Sequence, residues 1–363
     1  MAWSSTSVSA QRHRVAAESV RPQPWSSARH HTAVLDGLDP AATCRYRVGS
    51  DTGEWSQWYE FTTAADGFAP WEFLYFGDAQ NGLGEVWPAV AQRAYAEHPD
   101  AGLSLHSGDL INDADDDAQW SDWFDAQGDE VRTRNVITTP GNHEYSGDPL
   151  LTQYRAHFGY PDTGPVFRCE DAWYADYQGV RFVSLNANVL TGVDQRGWLD
   201  RVLGENPQPW TVVTFHQPVF SGAEGRNNPG IRASWLPILE KHDVDLVLQG
   251  HDHVYARGHV SDRDNGDGSH SGPVYVVSSA GSKYYDLAPD DANNWTANGA
   301  TRAVAAEQIS TYQTVRVEQD RLVYHSHVAR VGDDPTPADA AVGDVLDSVT
   351  ITRGPDGKRV TGA

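Results

Sequence analysis

The stretch VDLVLQGHDH at residues 244–253 decides the fold, because an apolar, strand-like run ends there in two closely spaced histidines. In an extended segment, residues i and i+2 point to the same side, so His251 and His253 can converge on one metal ion or on two neighbouring ions. Gly250 gives the backbone room to turn between the strand and the histidines. The alternative is a pair of solvated loop histidines, and other stretches of the chain must decide between the two interpretations.

Four further stretches follow the same design, in which an apolar strand ends in a short polar cluster. They are WEFLYFGDAQN at 71–81, LSLHSGD at 103–109, VITTPGNHE at 136–144 and WTVVTFHQP at 210–218. Open α/β sheets bind their ligands at the carboxyl ends of the strands, where loops from several strands meet. Asp78 and Asp109 are 31 residues apart and Asp109 and Asn142 are 33 apart, which is about the length of a strand, a crossover helix and the next strand. The five clusters are therefore predicted to form one site.

The ordered set GD, GD, GNHE, H and GHDH resembles the motifs of the calcineurin-like metallophosphoesterases. The sequence around these motifs is most similar to the purple acid phosphatase branch, and the resemblance covers residues 68–353. The segments that carry it are SLHSGDL, TTPGNHEY, VVTFHQPVF and DLVLQGHDHVYAR. It implies an α/β fold, a four-layer αββα sandwich preceded by a short all-β, fibronectin type III-like domain. Periodicity alone does not distinguish this sandwich from a doubly wound sheet.

The chain is expected to divide near residue 66. Residues 1–66 have short β-like runs without a helical pattern, and HHTAVLDGLDPAATCRYRVGS at 30–50 resembles the end of the fibronectin type III-like domain that precedes the catalytic domain in many purple acid phosphatases. A complete sandwich of that kind needs about 100 residues, so we expect an abbreviated or truncated domain. Residues 67–363 are expected to be the catalytic domain. Its predicted helices are 85–97, 118–131, 195–203 and 231–242.

The resemblance also implies roles for the clustered residues. Asp109 is expected to bridge two divalent ions, Mn, Fe or Zn. The first ion would be bound by Asp78 and His253, and the second by Asn142, His216 and His251. A metal-bridging hydroxide would attack the phosphorus. His143, beside Asn142, is expected to stabilise charge and protonate the leaving oxygen, with Glu144 as its orienting group.

Two positions depart from the purple acid phosphatase pattern. Those enzymes have a ligating Tyr three residues after the second aspartate, where this chain has Asn112, and many other metallophosphoesterases have a His two residues after the first, where it has Gln80. The first metal is thus left with Gln80 or Asn112 as a neutral oxygen ligand. This argues against ferric iron and the purple colour.

Composition excludes several classes of protein. The 363 residues have a formal net charge of −23, which argues against a nucleic-acid polymer as partner because phosphate backbones require a basic surface. The sequence has no run of 18 apolar residues, so no membrane span is predicted. Cys44 and Cys169 are expected to be buried free thiols. The given chain has no signal peptide pattern at its start, although the resemblance implies a secreted or cell-surface protein; the oligomeric state is left open.

Three functions are compatible with these patterns. The first is a dinuclear phosphomonoesterase acting on a small phosphate ester. A phosphodiesterase acting on nucleotides or phospholipid head groups is the alternative within the enzyme class. The third is a catalytically inactive surface-binding module. The substrate would be selected by pocket walls, for which the candidates are Asn81, Asn112, Tyr145, Arg226, Asn227, Tyr284 and Tyr285.

Overall fold

The computed structural model describes residues 2–5, 12–14, 16–20, 26, 28–166, 170–189, 195–355 and 357–362. Its first six strands are β1 Ala2–Ser5, β2 Arg12–Arg14, β3 Glu18–Val20, β4 His30–Thr32, β5 Thr43–Arg47 and β6 Tyr59–Thr62. Four of them form an antiparallel sheet in the order β2-β1-β5-β6, while β3 pairs with β4. The amino-terminal region is therefore all-β in its described part.

The remaining strands form two sheets that share one long strand. Their bounds are β7 Trp71–Phe76, β8 Leu103–His106, β9 Asn135–Thr138, β10 Trp173–Tyr177, β11 Val180–Ser184, β12 Trp210–Thr214, β13 Leu246–Gln249, β14 Tyr255–Val260, β15 Val274–Val277, β16 Ala300–Val317, β17 Arg321–Thr336, β18 Val345–Gly354 and β19 Gly357–Gly362. The first sheet has the order β9-β8-β7-β16-β17-β18-β19, and the second has the order β10-β11-β12-β13-β15-β14-β16. The first part of β16 pairs with β14 and the rest with β7 and β17.

Helices cover the outer face of each sheet. The helices are α1 Val86–Glu97, α2 Asp117–Asp125, α3 Glu130–Thr133, α4 Thr152–His157, α5 Gln195–Gly204 and α6 Pro229–Lys241. One apolar core lies between the two sheets, a second joins α1, α2 and α4 to the first sheet, and a third joins α5 and α6 to the second. Three cores between four layers give the αββα sandwich that the resemblance implies.

Large aromatic side chains fasten the helices to the sheets. Trp120, Trp123, Trp198 and Trp235 are each at most 3% exposed and belong to the two outer cores. Burying such a side chain contributes about 1.5–3 kcal/mol to stability. These tryptophans pack helices rather than line a site.

The predicted helix at 118–131 is wrong in its length. The structure has α2 at Asp117–Asp125 and then the short α3 at Glu130–Thr133. Gly128 lies between them with φ +61, a left-handed conformation that ends a right-handed helix. The helices predicted at 85–97, 195–203 and 231–242 agree with α1, α5 and α6 to within two residues at each end. Cys44 is buried and unpaired as predicted, whereas Cys169 lies outside the described residues.

Candidate metal centre

The two sheets bring their parallel strands to a common edge, where the polar clusters meet. Asp78 follows β7, Asp109 follows β8, and His143 follows β9 in the first sheet, while His216 and the pair His251 and His253 follow β12 and β13 in the second. Both sets of strands are parallel within their own sheet. The site thus forms where loops from two sheets converge at one edge.

Five of the predicted ligands form two overlapping groups. One group is Asp109, His216 and His251, and the other is Asp78, Asp109 and His253; within each group the ligating atoms lie within 4.8 Å of one another. The carboxylate of Asp109 belongs to both groups. Its Oδ2 lies 2.9 Å from Nε2 of His216 and 3.1 Å from Nε2 of Gln80.

The backbone around this cluster is strained. Asp109, His251 and His253 have φ of +50, +75 and +50, in the left-handed region that costs a non-glycine residue of order 1–3 kcal/mol. Gly108 has φ +90, and a Cβ there would lie 2.6 Å from the backbone nitrogen of Gly141. Such strain persists where the surrounding structure fixes it, which is typical of functional sites.

Unpaired oxygens of the cluster fit a cation. Oδ1 of Asp78 and Oε1 of Gln80 are buried without a hydrogen-bond partner in the described structure. Burial raises the pKa of Asp78 to about 8, although His216 pulls it down. A buried carboxylate is costly without positive charge close by, so this residue suits a bound metal ion.

The three histidines of the cluster differ in their protonation. Burial lowers the pKa of His251 to about 2 and that of His253 to about 3, so both rings are neutral and keep a lone pair for a metal. Nδ1 of His251 lies 3.2 Å from Nε2 of His216. Burial would lower the pKa of His216, but Asp109 and Asp78 raise it to about 10. Burial would also raise the pKa of Asp109, but His216 outweighs it and holds this pKa well below its usual range. In the protein without metal, the His216 proton thus supplies the positive charge that the carboxylates require.

Hydrogen bonds from the first-sheet and second-sheet loops orient the rings. Nδ1 of His216 lies 2.8 Å from the carbonyl oxygen of Ser107, and Nδ1 of His253 lies 3.2 Å from that of Lys283. Each contact leaves Nε2 directed toward the carboxylates, since Nε2 of His253 lies 3.7 Å from Oδ1 of Asp78. This arrangement fixes which nitrogen can ligate.

The loop after β9 places the remaining predicted residues at the rim of the cluster. The backbone nitrogen of His143 donates to Oδ1 of Asp109 at 2.9 Å, and its Nδ1 lies 2.7 Å from the carbonyl oxygen of Asn112. Asn142 precedes it and is exposed. Asn112 thus contacts this site through its backbone, while Gln80 contacts it through its side chain. The structure leaves the ligand roles of Asn142 and Asn112 as predictions.

The expected role of Glu144 is wrong. Its buried carboxylate does not orient His143 but accepts three backbone N–H groups, from Asp109 at 3.0 Å, Leu110 at 2.8 Å and Gly141 at 2.6 Å. It therefore ties the loop after β8 to the loop after β9. The physical reason is that these N–H groups have no partner within their own tight turns, and a carboxylate can satisfy all of them.

The pocket-wall candidates separate into two sets. The hydroxyl of Tyr145 accepts from Asn186 at 2.6 Å, and that of Tyr284 lies 2.9 Å from Oγ of Ser310. Asn227 binds Arg232 and Asn294. Arg226 and Tyr285, in contrast, contact the metal loop directly: Arg226 donates to the carbonyl oxygen of His251 at 2.9 Å, and the Tyr285 ring lies 5.1 Å from the His253 ring.

Sequence reasoning missed Asp252 and Lys283. Asp252, between the two histidines, is fully buried, accepts the N–H of Gly222 at 2.8 Å and lies 3.5 Å from Nη1 of Arg226. The alternation of a strand would have placed it opposite the histidines. Lys283 could have been found because lysine is so rare in this chain.

Comparisons with known proteins agree with this architecture. A family model described as Calcineurin-like phosphoesterase matches residues 72–255, about half of the chain. A second, described as Purple acid Phosphatase, N-terminal domain, matches residues 2–63. The matched ranges contain the cluster and the amino-terminal β region respectively.

Individual relatives cover the chain in part. An uncharacterized protein of Mycobacterium tuberculosis is 31% identical over 54% of this chain and 45% of its own length. Acid phosphatase type 7 of Danio rerio is 30% identical over 62% of this chain and 57% of its own length. The chain thus spans about half the length of these curated relatives. A purple acid phosphatase structure from yellow lupin seeds has a TM-score of 0.79 at 19% identity and covers 98% of this chain and 69% of its own; at that identity the likeness concerns the fold.

Proposed function

The chain belongs to the calcineurin-like phosphoesterase family, and we propose that it is a phosphoric ester hydrolase with a dinuclear metal centre that prefers phosphomonoesters. The observation that carries the proposal is the position of Asp109, whose carboxylate belongs to two ligand groups at once. A carboxylate shared in this way suits two ions about 3.5–4 Å apart.

The chain's own residues have distinct tasks in this proposal. Asp78, Asp109 and His253 would hold one ion, and Asp109, His216 and His251 the other, with Gln80 and Asn142 as neutral oxygen ligands. Two such divalent ions supply, when bound, the Lewis acidity and the activated water that ester hydrolysis requires. Carboxylate, amide and imidazole ligands together suit Mn, Fe or Zn.

His143 is proposed as the proton donor to the leaving oxygen. Its Nδ1 is held at the carbonyl oxygen of Asn112, so Nε2 is the atom left to carry a proton toward a substrate. Its backbone N–H is bound to Asp109, which keeps the ring beside the cluster. A positioned imidazole of this kind can protonate the leaving oxygen. Ordinary alkyl esters need this proton because an unprotonated alkoxide is a poor leaving group.

The preference for monoesters is supported by the names of relatives, among them the acid phosphatase of Danio rerio. We also propose that residues 1–66 form a separate β unit and residues 67–363 the catalytic unit. Supporting this division, no strand pairing joins β1–β6 to β7–β19 in the described structure. A secreted or cell-surface location stays a prediction from the family resemblance. Within the described residues, every helix is too short or too polar to cross a membrane.

The test compares one monoester and one diester with the same leaving group, phenyl phosphate and diphenyl phosphate, on protein of known metal content. We expect two metal ions per chain and a kcat/KM at least about 10-fold higher for the monoester, a difference of about 1.4 kcal/mol in the barrier. Activity should vanish with a chelator and return with Mn, Fe or Zn. One ion per chain would refute the dinuclear centre, and faster diester cleavage would assign the chain to the phosphodiesterases.

A further inference from the structure

The three lysines of the chain have very different surroundings. Nζ of Lys241 lies 2.7 Å from Oδ1 of Asp200, and Nζ of Lys358 lies 2.6 Å from Oδ1 of Asp243. The ammonium of Lys283 has no hydrogen bond or ion pair with any residue that the structure describes, yet the chain has 50 acidic residues against 27 Lys and Arg. Among the described residues this half-buried cation therefore has no carboxylate partner, which leaves its ammonium available to an anionic ligand.

Lys283 belongs to the loop that surrounds the metal ligand His253. The carbonyl oxygen of Lys283 lies 3.2 Å from Nδ1 of His253, and the N–H of Tyr285 donates to the carbonyl oxygen of His253 at 3.3 Å. These two contacts fix the backbone of residues 283–285 against the metal loop. The Lys283 side chain is therefore presented at the border of the candidate metal centre.

A second cation lies at the same aromatic ring. Nζ of Lys283 is 5.0 Å from the ring centre of Tyr285 and the guanidinium carbon of Arg226 is 4.5 Å from it. Arg226 is held in place by the carbonyl oxygen of His251 at 2.9 Å and the Tyr285 hydroxyl at 3.3 Å. The ring attracts each cation by its quadrupole. The Asp252 carboxylate, 3.5 Å from Nη1 of Arg226, offsets part of the guanidinium charge, and an anion near the ring would be attracted by the remaining positive charge of both side chains.

We propose that Lys283 and Arg226, supported by Tyr285, form an anion subsite that selects phosphate esters with a second anionic group, a carboxylate or a phosphate, on the leaving alcohol. The inference rests on the proposed function and names its substrate class. The net charge of −23 repels such polyanionic substrates, so recognition requires cations at the site itself. Binding of this remote group would stabilise the ground state and the transition state about equally, so it would act mainly through KM.

The kinetic test uses three esters of primary alcohols. Glycerol 3-phosphate has no second anion, 3-phosphoglycerate adds a carboxylate, and glycerol 1,3-bisphosphate adds a phosphate. In Lys283→Gln we expect kcat/KM to fall about 10-fold, mostly through KM, for one or both of the substrates that have a second anionic group, while glycerol 3-phosphate changes less than about threefold. Lys283→Arg should restore the preference because it restores the charge. Lys241→Gln, the matched control, should leave all three rates as in the wild type.

A second measurement does not depend on turnover. Pyridoxal 5′-phosphate combines an anionic group with an aldehyde that condenses with a lysine amine, releasing water, and borohydride then reduces the imine to a stable adduct. With three lysines in the chain, mass spectrometry locates the adduct. We expect modification at Lys283, and stronger protection by 3-phosphoglycerate or glycerol 1,3-bisphosphate than by glycerol 3-phosphate.

The outcomes separate the two proposals. Equal loss for all three esters in Lys283→Gln, or equal protection by all three, would overturn the anion subsite while leaving the hydrolase intact. Absence of hydrolysis of every ester by metal-loaded wild-type protein would overturn the proposed function, and the labelling experiment would still decide whether Lys283 binds anions.

Discussion

The two ligand groups that share Asp109 differ in their access to solvent. Asp78, Asp109 and His253 are all buried, and Gln80 is buried beside them, whereas His251 of the other group is only partly buried and the neighbouring Asn142 is exposed. His143, which follows the exposed Asn142, is also only partly buried. One group is thus fully enclosed by protein, while the other, whose His216 is also buried, reaches solvent at His251; we call them the enclosed and the open group.

This difference assigns separate tasks to the two groups. A metal ion reaches a substrate only through an open coordination position, whereas an enclosed ion can still supply positive charge and hold a shared ligand. By that rule the enclosed group would fix a metal in place, and the open group would meet the substrate beside His143. Asp109 couples the two, so its loss should affect both, while loss of an open-side ligand should affect one.

The largest effect is expected for Asp109→Ala. Because this carboxylate belongs to both groups, the variant should lose metal at both positions, and hydrolysis should fall on the order of 10⁶-fold, toward the uncatalysed rate. His216→Ala should mainly empty the open position and leave about one ion per chain. Elemental analysis and phenyl phosphate turnover measure both quantities. The exposed His31 provides a control, His31→Ala, with two ions per chain. Two bound ions in Asp109→Ala would disprove the bridging role.

The next effect concerns His143 on the open side. We expect His143→Ala to keep the fold and both metal ions while kcat drops about 10² to 10⁴-fold, the usual contribution of a positioned proton donor. A leaving group that needs no protonation, such as p-nitrophenolate, should reduce the deficit relative to an alkyl ester. If turnover of the alkyl ester stays near the wild-type value, His143 has no part in the reaction.

A smaller effect on metal binding is expected at Glu144, whose carboxylate accepts the backbone N–H of the shared ligand Asp109. In Glu144→Gln the amide NH₂ would face N–H groups that now bind a carboxylate, so one or more contacts would be lost. We expect metal affinity to weaken about 10 to 100-fold, as for other residues that orient metal ligands, with both positions affected because the Asp109 loop shifts. Titration of metal-free protein with Zn²⁺ tests this. The exposed Glu60→Gln should bind as the wild type does, and an unaltered affinity in Glu144→Gln would remove the supporting role.

The sequence predicts the strands that carry the site better than it predicts the residues that support it. Apolar runs such as those of β7, β12 and β13 are continuous because both faces of each strand are buried. The polar cluster after each run clearly marks the end of the strand. The support of Glu144 could not be predicted, since it depends on N–H groups that only the folded loops bring together.

The same limit applies to β16 and to Lys283. Strand β16 has 18 residues, of which Ala, Thr and Val are the most frequent, and its weak alternation gives no sign that it joins two sheets. The cations at Tyr285 come from residues almost 60 positions apart in the chain, a distance over which no local pattern can operate.

The metal ion in the enclosed group is expected to be divalent. Purple colour requires a tyrosinate on iron, and the tyrosine hydroxyls considered for this role are engaged elsewhere: that of Tyr145 is bound to Asn186 and that of Tyr284 to Ser310 and Arg330. The buried carboxamide of Gln80 lies instead beside Asp109 and His253. A neutral amide oxygen donates less charge than a tyrosinate, so the enclosed position should hold a divalent ion. We expect aerobically purified protein to be colourless, with two divalent ions by elemental analysis. An intense visible band together with one ferric ion per chain would mean that a tyrosine reaches the metal after all, and that the neutral amide of Gln80 does not complete the enclosed position.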